Sequence, residues 1–219
     1  MRGITEILDH GFFYQPTEHT GLPLGPYVAL NITEDQLGMQ RASTEPLDAE
    51  QYYSELRRTL VHIVERHQLS ILLVPHIYSD LRAINQLLAR LDDWFVRQHI
   101  TIAPCIQGDN GADYLFNLYR LSSLVIGMRF HTNVCSLAME LKVIGLVALD
   151  RINYLYNSLG ITDSCVSVTG AFSQQLNKTI DTKLKQAEAG TLTELENRKV
   201  QTATYYQGVL SQFGLTTLK

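Results

Sequence analysis

Five short apolar runs, spaced along the chain and separated by polar or helix-patterned segments, constrain its fold more than any other feature. They are YVALNI at 27–32, SILLVP at 70–75, ITIAPC at 100–105, SLVIG at 123–127 and VIGLVAL at 143–149. Between the first two, 52–67 carries Leu56, Leu60, Ile63 and Val64 at helical spacing; after the second, 80–96 carries Leu81, Ile84, Leu88, Leu91 and Phe95 on one stripe, with Ser79 or Asp80 as N-cap. Gly108-Asp109-Asn110-Gly111 is turn chemistry ahead of a short helix at 112–121, and Val134, Leu137, Ala138 and Leu141 repeat at i, i+3, i+4 and i+7. Strands alternating with helical patterns of this length predict an α/β chain with a doubly wound parallel sheet. The wholly apolar fifth run is the kind of strand buried on both faces.

Beyond Ile161 the pattern weakens to one more short strand, CVSV, and two helical stretches separated at Gly190, the last striped by Tyr205, Tyr206, Val209, Leu210 and Phe213. That stripe reads as core or interface. Residues 1–26, with Pro16, Pro23 and Pro26 and the aromatic knot Phe12-Phe13-Tyr14, have the character of a linker. The expected organisation is a linker-like segment at 1–26, an α/β domain at 27–170, and helices at 171–219 that pack on the domain or on a preceding half.

Composition excludes several classes. The 18 Lys and Arg are dispersed and outnumbered by 22 Asp and Glu, giving a net charge of −4, so the basic stripe of a nucleic-acid binder is missing. No stretch approaches the ~20 apolar residues of a membrane span, and no signal-peptide pattern opens the chain, so a cytoplasmic protein is expected. Cys105, Cys135 and Cys165 form no CxxC, and neither a disulfide framework nor a metal-ligand spacing is visible. GxGxxG and the Gly-Lys-Ser/Thr phosphate loop are absent, which argues against an NAD enzyme or an ATPase.

The chemistry concentrates at strand ends. Val-Pro-His76 closes the second run, with Ser79 and Asp80 after it; Gly127-Met-Arg129-Phe-His131-Thr-Asn133 closes the fourth; Asp150-Arg151 follows the fifth. In an open parallel sheet ligands bind outside the carboxyl ends of strands, where helix N-termini offer unpaired N–H groups to anions. Arg holds a carboxylate or phosphate bidentately without losing its charge, and His titrates near neutrality. An anionic ligand is the expectation. His10, His19, His62, His67 and His99 have no partners in pattern and read as surface residues.

Together the VPHxxxD, VIGMRFHTNV and VIGLVALDRINYLYNSLGI segments resemble the C-terminal half of the polysaccharide pyruvyl transferase family, over about 27–168 and in the same order. The resemblance implies a single Rossmann-like sheet, like the C-terminal half of a GT-B fold. It implies transfer of a pyruvyl group, as a ketal, from phosphoenolpyruvate to a saccharide acceptor in cell-surface polysaccharide biosynthesis, with no cofactor beyond that donor substrate; no residues are assigned to a metal. His131, Arg129 and His76 become the candidate catalytic residues: Arg129 as anion clamp, His131 as acid/base or phosphate ligand, His76 as a second phosphate or acceptor contact. Asp80, Asn133 and Arg151 become candidate substrate contacts. Similar proteins carry about another half before the linker, so two expectations stand: a fragment or split product whose partner chain supplies an N-terminal half, or a shortened relative that binds without turnover. Two alternatives stand beside this reading: a GT-B half that binds a nucleotide sugar, as in glycosyltransferases and epimerases, and a non-catalytic binding module.

Overall fold

The computed structural model describes residues 7–15, 17, 25–37, 47–108, 111–187 and 193–213. Six strands, β1 (Tyr27–Asn31), β2 (Ser70–Leu73), β3 (Ile100–Ile102), β4 (Leu124–Gly127), β5 (Val143–Val147) and β6 (Cys165–Ser167), form one sheet in the order β3-β2-β1-β4-β5-β6. Every neighbouring pair is parallel. The five expected strands and the short sixth are therefore all present, each with its ends trimmed where the chain leaves the ladder.

Each crossover is helical, as parallel pairing requires. Helix α1 (Ala49–His67) follows β1, α2 (Tyr78–Leu88) and α3 (Asp93–His99) follow β2, α4 (Gly111–Arg120) follows β3, α5 (Phe130–Ala138) follows β4 and α6 (Asp150–Ser158) follows β5. After β6 come α7 (Phe172–Lys185) and α8 (Thr193–Gln212). The pleat sends alternate β1 side chains to opposite layers: Val28 and Leu30 join Leu56, Leu60, Ile84, Leu176 and Ile180 under α1, α2 and α7, whereas Tyr27 and Ala29 join Leu115, Tyr119, Val134 and Tyr156 under α4, α5 and α6. Apolar residues on both faces explain why these strands read as near-continuous hydrophobic runs.

The single helix expected at 80–96 is two. Asp92 caps a new start, its carboxylate accepting from the Trp94 and Phe95 amides, after α2 has ended at Ala89. The buried positions of α2 are Asp80, Ala83, Ile84 and Leu87, so Leu81 and Leu88 flank the core stripe and do not define it. The cap of α2 is likewise Ile77, with Asp80 inside the first turn. Gly190 and the Asp109-Asn110 pair lie outside the described residues, as do Pro16, His19 and Pro23.

Two glycines let the layers close. A Cβ on Gly127 would sit 2.6 Å from Thr132 Cγ2, and one on Gly145 would sit 2.5 Å from Tyr156 Cε2. The first turn of α5 therefore lies directly on the end of β4, and the α6 tyrosine reaches across β5. On the outside of α5, a 3-10 turn at His10–Phe13 packs with Phe12 buried and Gly11 against Val134 and Cys135. Helix α8 meets this segment through Thr202 Oγ1, which accepts from the Leu8 amide at 3.1 Å, and Tyr206, whose hydroxyl lies 2.9 Å from His10 Nε2. Along the aromatic stripe of α8, Tyr206, Val209 and Leu210 are partly covered while Tyr205 and Phe213 are exposed. Among the described residues no helix is long and apolar enough to cross a membrane.

Candidate functional site

Strand order reverses between β1 and β4, the switch point at whose carboxyl edge doubly wound sheets place their ligand crevice. Pairing Asn31 with Gly127 sets the two chain exits side by side. Asn31-Ile32-Thr33 leaves β1, Met128-Arg129 leaves β4, and Val74-Pro75-His76 leaves β2 on the flank. The site is assembled from these three exits.

Arg129 is its centre. The backbone N–H of Arg129 donates to Asn31 Oδ1 at 2.9 Å, and Asn31 Nδ2 donates to the Val74 carbonyl at 3.0 Å, so one buried asparagine ties all three exits together. The guanidinium then turns back to Asp80: Nη2 donates to Oδ1 at 2.5 Å and Nε to Oδ1 and Oδ2 at 3.1 and 3.3 Å. Asp80 is 0% exposed and also accepts from the His76 amide at 2.9 Å. A carboxylate is tolerated there because a cation and backbone donors surround it. The inward edge of Arg129 is thereby fixed.

Nη2, which meets Asp80, is shared with three further acceptors, of which Thr33 is buried and Asp35 exposed. Nη2 also reaches Asp35 Oδ2 at 2.9 Å, Thr33 Oγ1 at 3.0 Å and Ser79 Oγ at 3.2 Å, and the same Asp35 oxygen accepts from Ser79 at 3.2 Å. Burial tends to raise the Asp35 pKa, but hydrogen bonds from Thr33, Arg129 and Ser79 outweigh it and hold the carboxyl below its usual value. Asp35 is 39% exposed, so among the groups on Nη2 it is the charged one that faces solvent.

His76 is turned inward. Its Nε2 lies 2.8 Å from the Tyr119 hydroxyl and 3.1 Å from Thr132 Oγ1, under the edge of Phe116. Burial pushes its pKa down to about 4; Asp80 opposes the shift, while Arg129 and His131 add to it. At neutral pH this imidazole is uncharged and contributes hydrogen bonding but no positive charge. His131, in the first turn of α5, is 60% exposed, with Nε2 3.6 Å from Asp9 Oδ1. It lines an open cavity of about 430 Å³ together with Asp9, Tyr14, Phe116 and Cys135. Arg151, at the start of α6, stacks over Phe130 at 5.1 Å from the ring centroid, and no carboxylate of the described residues pairs with it.

Asn133 is fully buried. Its Nδ2 donates to the carbonyls of Gly127 and Arg129 at 3.0 and 2.9 Å, and its Oδ1 accepts from the Tyr156 hydroxyl at 2.8 Å. It holds the Gly127–Arg129 turn in shape and has no face toward solvent. Neither α5 nor α6 has a side-chain cap on its first-turn amides, and neither carries a cap residue that could serve as one. Each helix N-terminus carries the positive end of the helix dipole, although in α6 the Ile152 amide already donates to the Leu149 carbonyl at 3.1 Å.

The structure therefore brings Arg129, Asp80 and His76 into one hydrogen-bonded cluster, with His131 and Arg151 beside it on α5 and α6. Sequence reasoning missed Asn31, Thr33 and Asp35, and also Tyr119 and Thr132. The available signal was an asparagine inside an otherwise apolar run, followed at once by Thr33 and Asp35; a polar side chain at a strand's carboxyl end marks the ligand edge.

The family model described as polysaccharide pyruvyl transferase matches residues 13–148. Among solved structures, the chain is similar to the UDP-GlcNAc 2-epimerase of Methanocaldococcus jannaschii in complex with UDP-GlcNAc and UDP, at 15% identity and a TM-score of 0.53, over 83% of this chain and 46% of that one. It is also similar to the C-terminal domain of a glycosyl transferase group 1 family protein (LpcC) from Francisella tularensis, at 13% identity and a TM-score of 0.51, over 96% of this chain and 100% of that one. The chain thus spans about half the length of the epimerase and the whole of an isolated C-terminal domain of GT-B type. No match is found among curated protein sequences.

Proposed function

The chain belongs to the polysaccharide pyruvyl transferase family, and from that premise we propose that its strand-end crevice binds phosphoenolpyruvate for transfer of the pyruvyl group to a saccharide. The observation that carries this reading is the Arg129 guanidinium, anchored by buried Asp80 while its Nη2 is shared with Thr33, Ser79 and the exposed carboxylate of Asp35. A carboxylate or phosphate oxygen of the donor replaces Asp35 Oδ2 between Arg129 and Ser79. The uncapped amides of α5 and the Arg151 guanidinium take the remaining negative charge.

Ketal formation adds two sugar hydroxyls to the central carbon of the donor, turns its methylene into a methyl and expels phosphate. Of the two hydroxyl protons, one ends on the methyl carbon and the other on the departing phosphate. His131 is the exposed titratable group at this edge and is assigned the proton transfers, worth ~10²–10⁴-fold. His76 stays neutral and acts as a positioning residue through Thr132, in the first turn of α5. The acceptor contacts belong to a second half facing the crevice, in keeping with the half-length match to the epimerase.

Binding tests the proposal without requiring turnover. Thermal unfolding of the chain is followed with phosphoenolpyruvate, inorganic phosphate or UDP-GlcNAc, alongside the Arg129→Met variant. Stabilisation by phosphoenolpyruvate that disappears in R129M is expected. Stabilisation by UDP-GlcNAc alone would overturn the donor assignment in favour of a nucleotide-sugar site.

A further inference from the structure

A second cluster lies at the other end of the sheet. Helix α1 runs back from the carboxyl edge and delivers the chain to the start of β2, so His62, Arg66 and His67 lie near the amino edge. Helix α7 makes the same return from β6, and Asp181 sits nine residues into it, about 14 Å along its axis. The two helices pack side by side there. His62 Nε2 and His67 Nε2 each lie 2.8 Å from the same oxygen, Asp181 Oδ1. Arg66 Nε holds the other oxygen, Oδ2, at 3.0 Å.

We propose that His62, His67 and Asp181 form a binding site for a late first-row divalent cation, zinc by the chemistry of its donors, that clips α1 to α7. The three ligand atoms all lie within 4.8 Å of one another. Tetrahedral zinc with bonds of ~2.0–2.1 Å needs ligand atoms about 3.3 Å apart, so each histidine must retreat from Asp181 by only about 0.5 Å. Two imidazoles and one carboxylate favour zinc, copper or nickel over magnesium or calcium, which take all-oxygen shells. All three side chains are partly buried, with relative exposures of 21%, 15% and 20%, so the helices already hold them together.

The second shell also fits. Arg66 on Oδ2 orients the carboxylate and leaves Oδ1 as a monodentate ligand. Binding requires the lone pair of each Nε2, so the imidazole protons reside on Nδ1 in the loaded site. Three protein ligands leave a fourth position for water. The site lies far from the crevice, so the cation acts on stability and not on transfer. Its sequence signal is weak because Asp181 is 114 residues from His67.

The test titrates the metal-stripped full chain with Zn²⁺ by calorimetry and with Co²⁺ by visible absorption, using His62→Gln and His67→Gln variants whose far-UV circular dichroism matches the parent. One equivalent of zinc, tetrahedral cobalt bands, and an affinity weakened at least about tenfold in both variants is the expected result. Zinc affinity unchanged in both variants would place the cation elsewhere, at the Asp9, His131 and Cys135 surface for instance, and overturn the proposal. Absence of zinc uptake by the parent, or equal displacement by Mg²⁺, would overturn it as well. Should one variant fail to fold, the other decides the outcome alone.

Discussion

Acidification should destabilise this protein through His76, by an amount the structure allows one to calculate. An unfolded histidine titrates near 6.5, whereas burial and the charges of Arg129 and His131 hold the folded His76 at about 4. The folded pKa is the lower, so the unfolded chain takes up the proton first. Stability is therefore complete above about pH 6.5, falls as the pH drops, and stops falling near pH 4 once both states are protonated. At pH 5 the linkage relation gives a loss of about 2 kcal/mol. The largest cause of the shift is burial of the ring, which sits among Tyr119, Thr132 and Phe116.

The assay compares urea unfolding of the parent and His76→Gln at pH 7.5 and pH 5. Glutamine keeps a polar group near Tyr119 and does not titrate. Its absolute stability will be lower at both pH values, and that offset cancels in the difference between them, as do contributions from the other histidines. The pH-dependent loss in the parent should exceed that of the variant by about 2 kcal/mol. Equal losses to within about 0.5 kcal/mol, or a His76 imidazole resonance titrating near 6.5, would refute the argument.

Two other perturbations address Arg129. Asp80→Asn removes the buried partner of a guanidinium that is itself only 16% exposed; breaking a buried pair costs about 3–5 kcal/mol, and the contacts retained to Asp35, Thr33 and Ser79 reduce this to about 2–4. Thermal unfolding should then fall by roughly 4–16 °C, and adding Arg129→Met should recover part of the loss; no coupling in that double-mutant cycle would show that the pair is not the source. Asp35→Asn removes the displaceable anion and should strengthen phosphoenolpyruvate binding severalfold, read by calorimetry at low salt. Weaker binding in D35N would mean that Asp35 contacts the ligand and does not compete with it.

The sheet was legible because its central strands β1, β4 and β5 are buried on both faces and write themselves as apolar runs. Runs such as SLVIG, closed by Gly127, locate a strand without knowledge of its neighbours. The break between α2 and α3 was hidden because Leu88, Leu91 and Phe95 continue a plausible helical stripe, and only the Asp92 side chain on the Trp94 and Phe95 amides reveals a second start. Arg129, His76 and Asp80 could be singled out because each follows a recognisable strand. Asn31, Thr33 and Asp35 left only the faint signal of a polar end to an apolar run, since their importance comes from β1 lying between β2 and β4, a fact of strand order that local periodicity does not contain. The orientation of His76 was similarly invisible, because Tyr119 reaches it from 43 residues away.

Charge balance then decides how the crevice can work. Arg129 carries one positive charge and faces two carboxylates, Asp80 and Asp35, so the cluster as it stands repels a polyanion. Displacing Asp35 restores neutrality but supplies no net attraction. Among the described residues at this edge, Arg151 and the N-terminal ends of α5 and α6 are further sources of positive potential, and they lie along one side of the crevice, after β4 and β5. A donor held from that side alone exposes its opposite face. Under the donor assignment proposed above, excluding water from that face takes a second wall opposite α5 and α6.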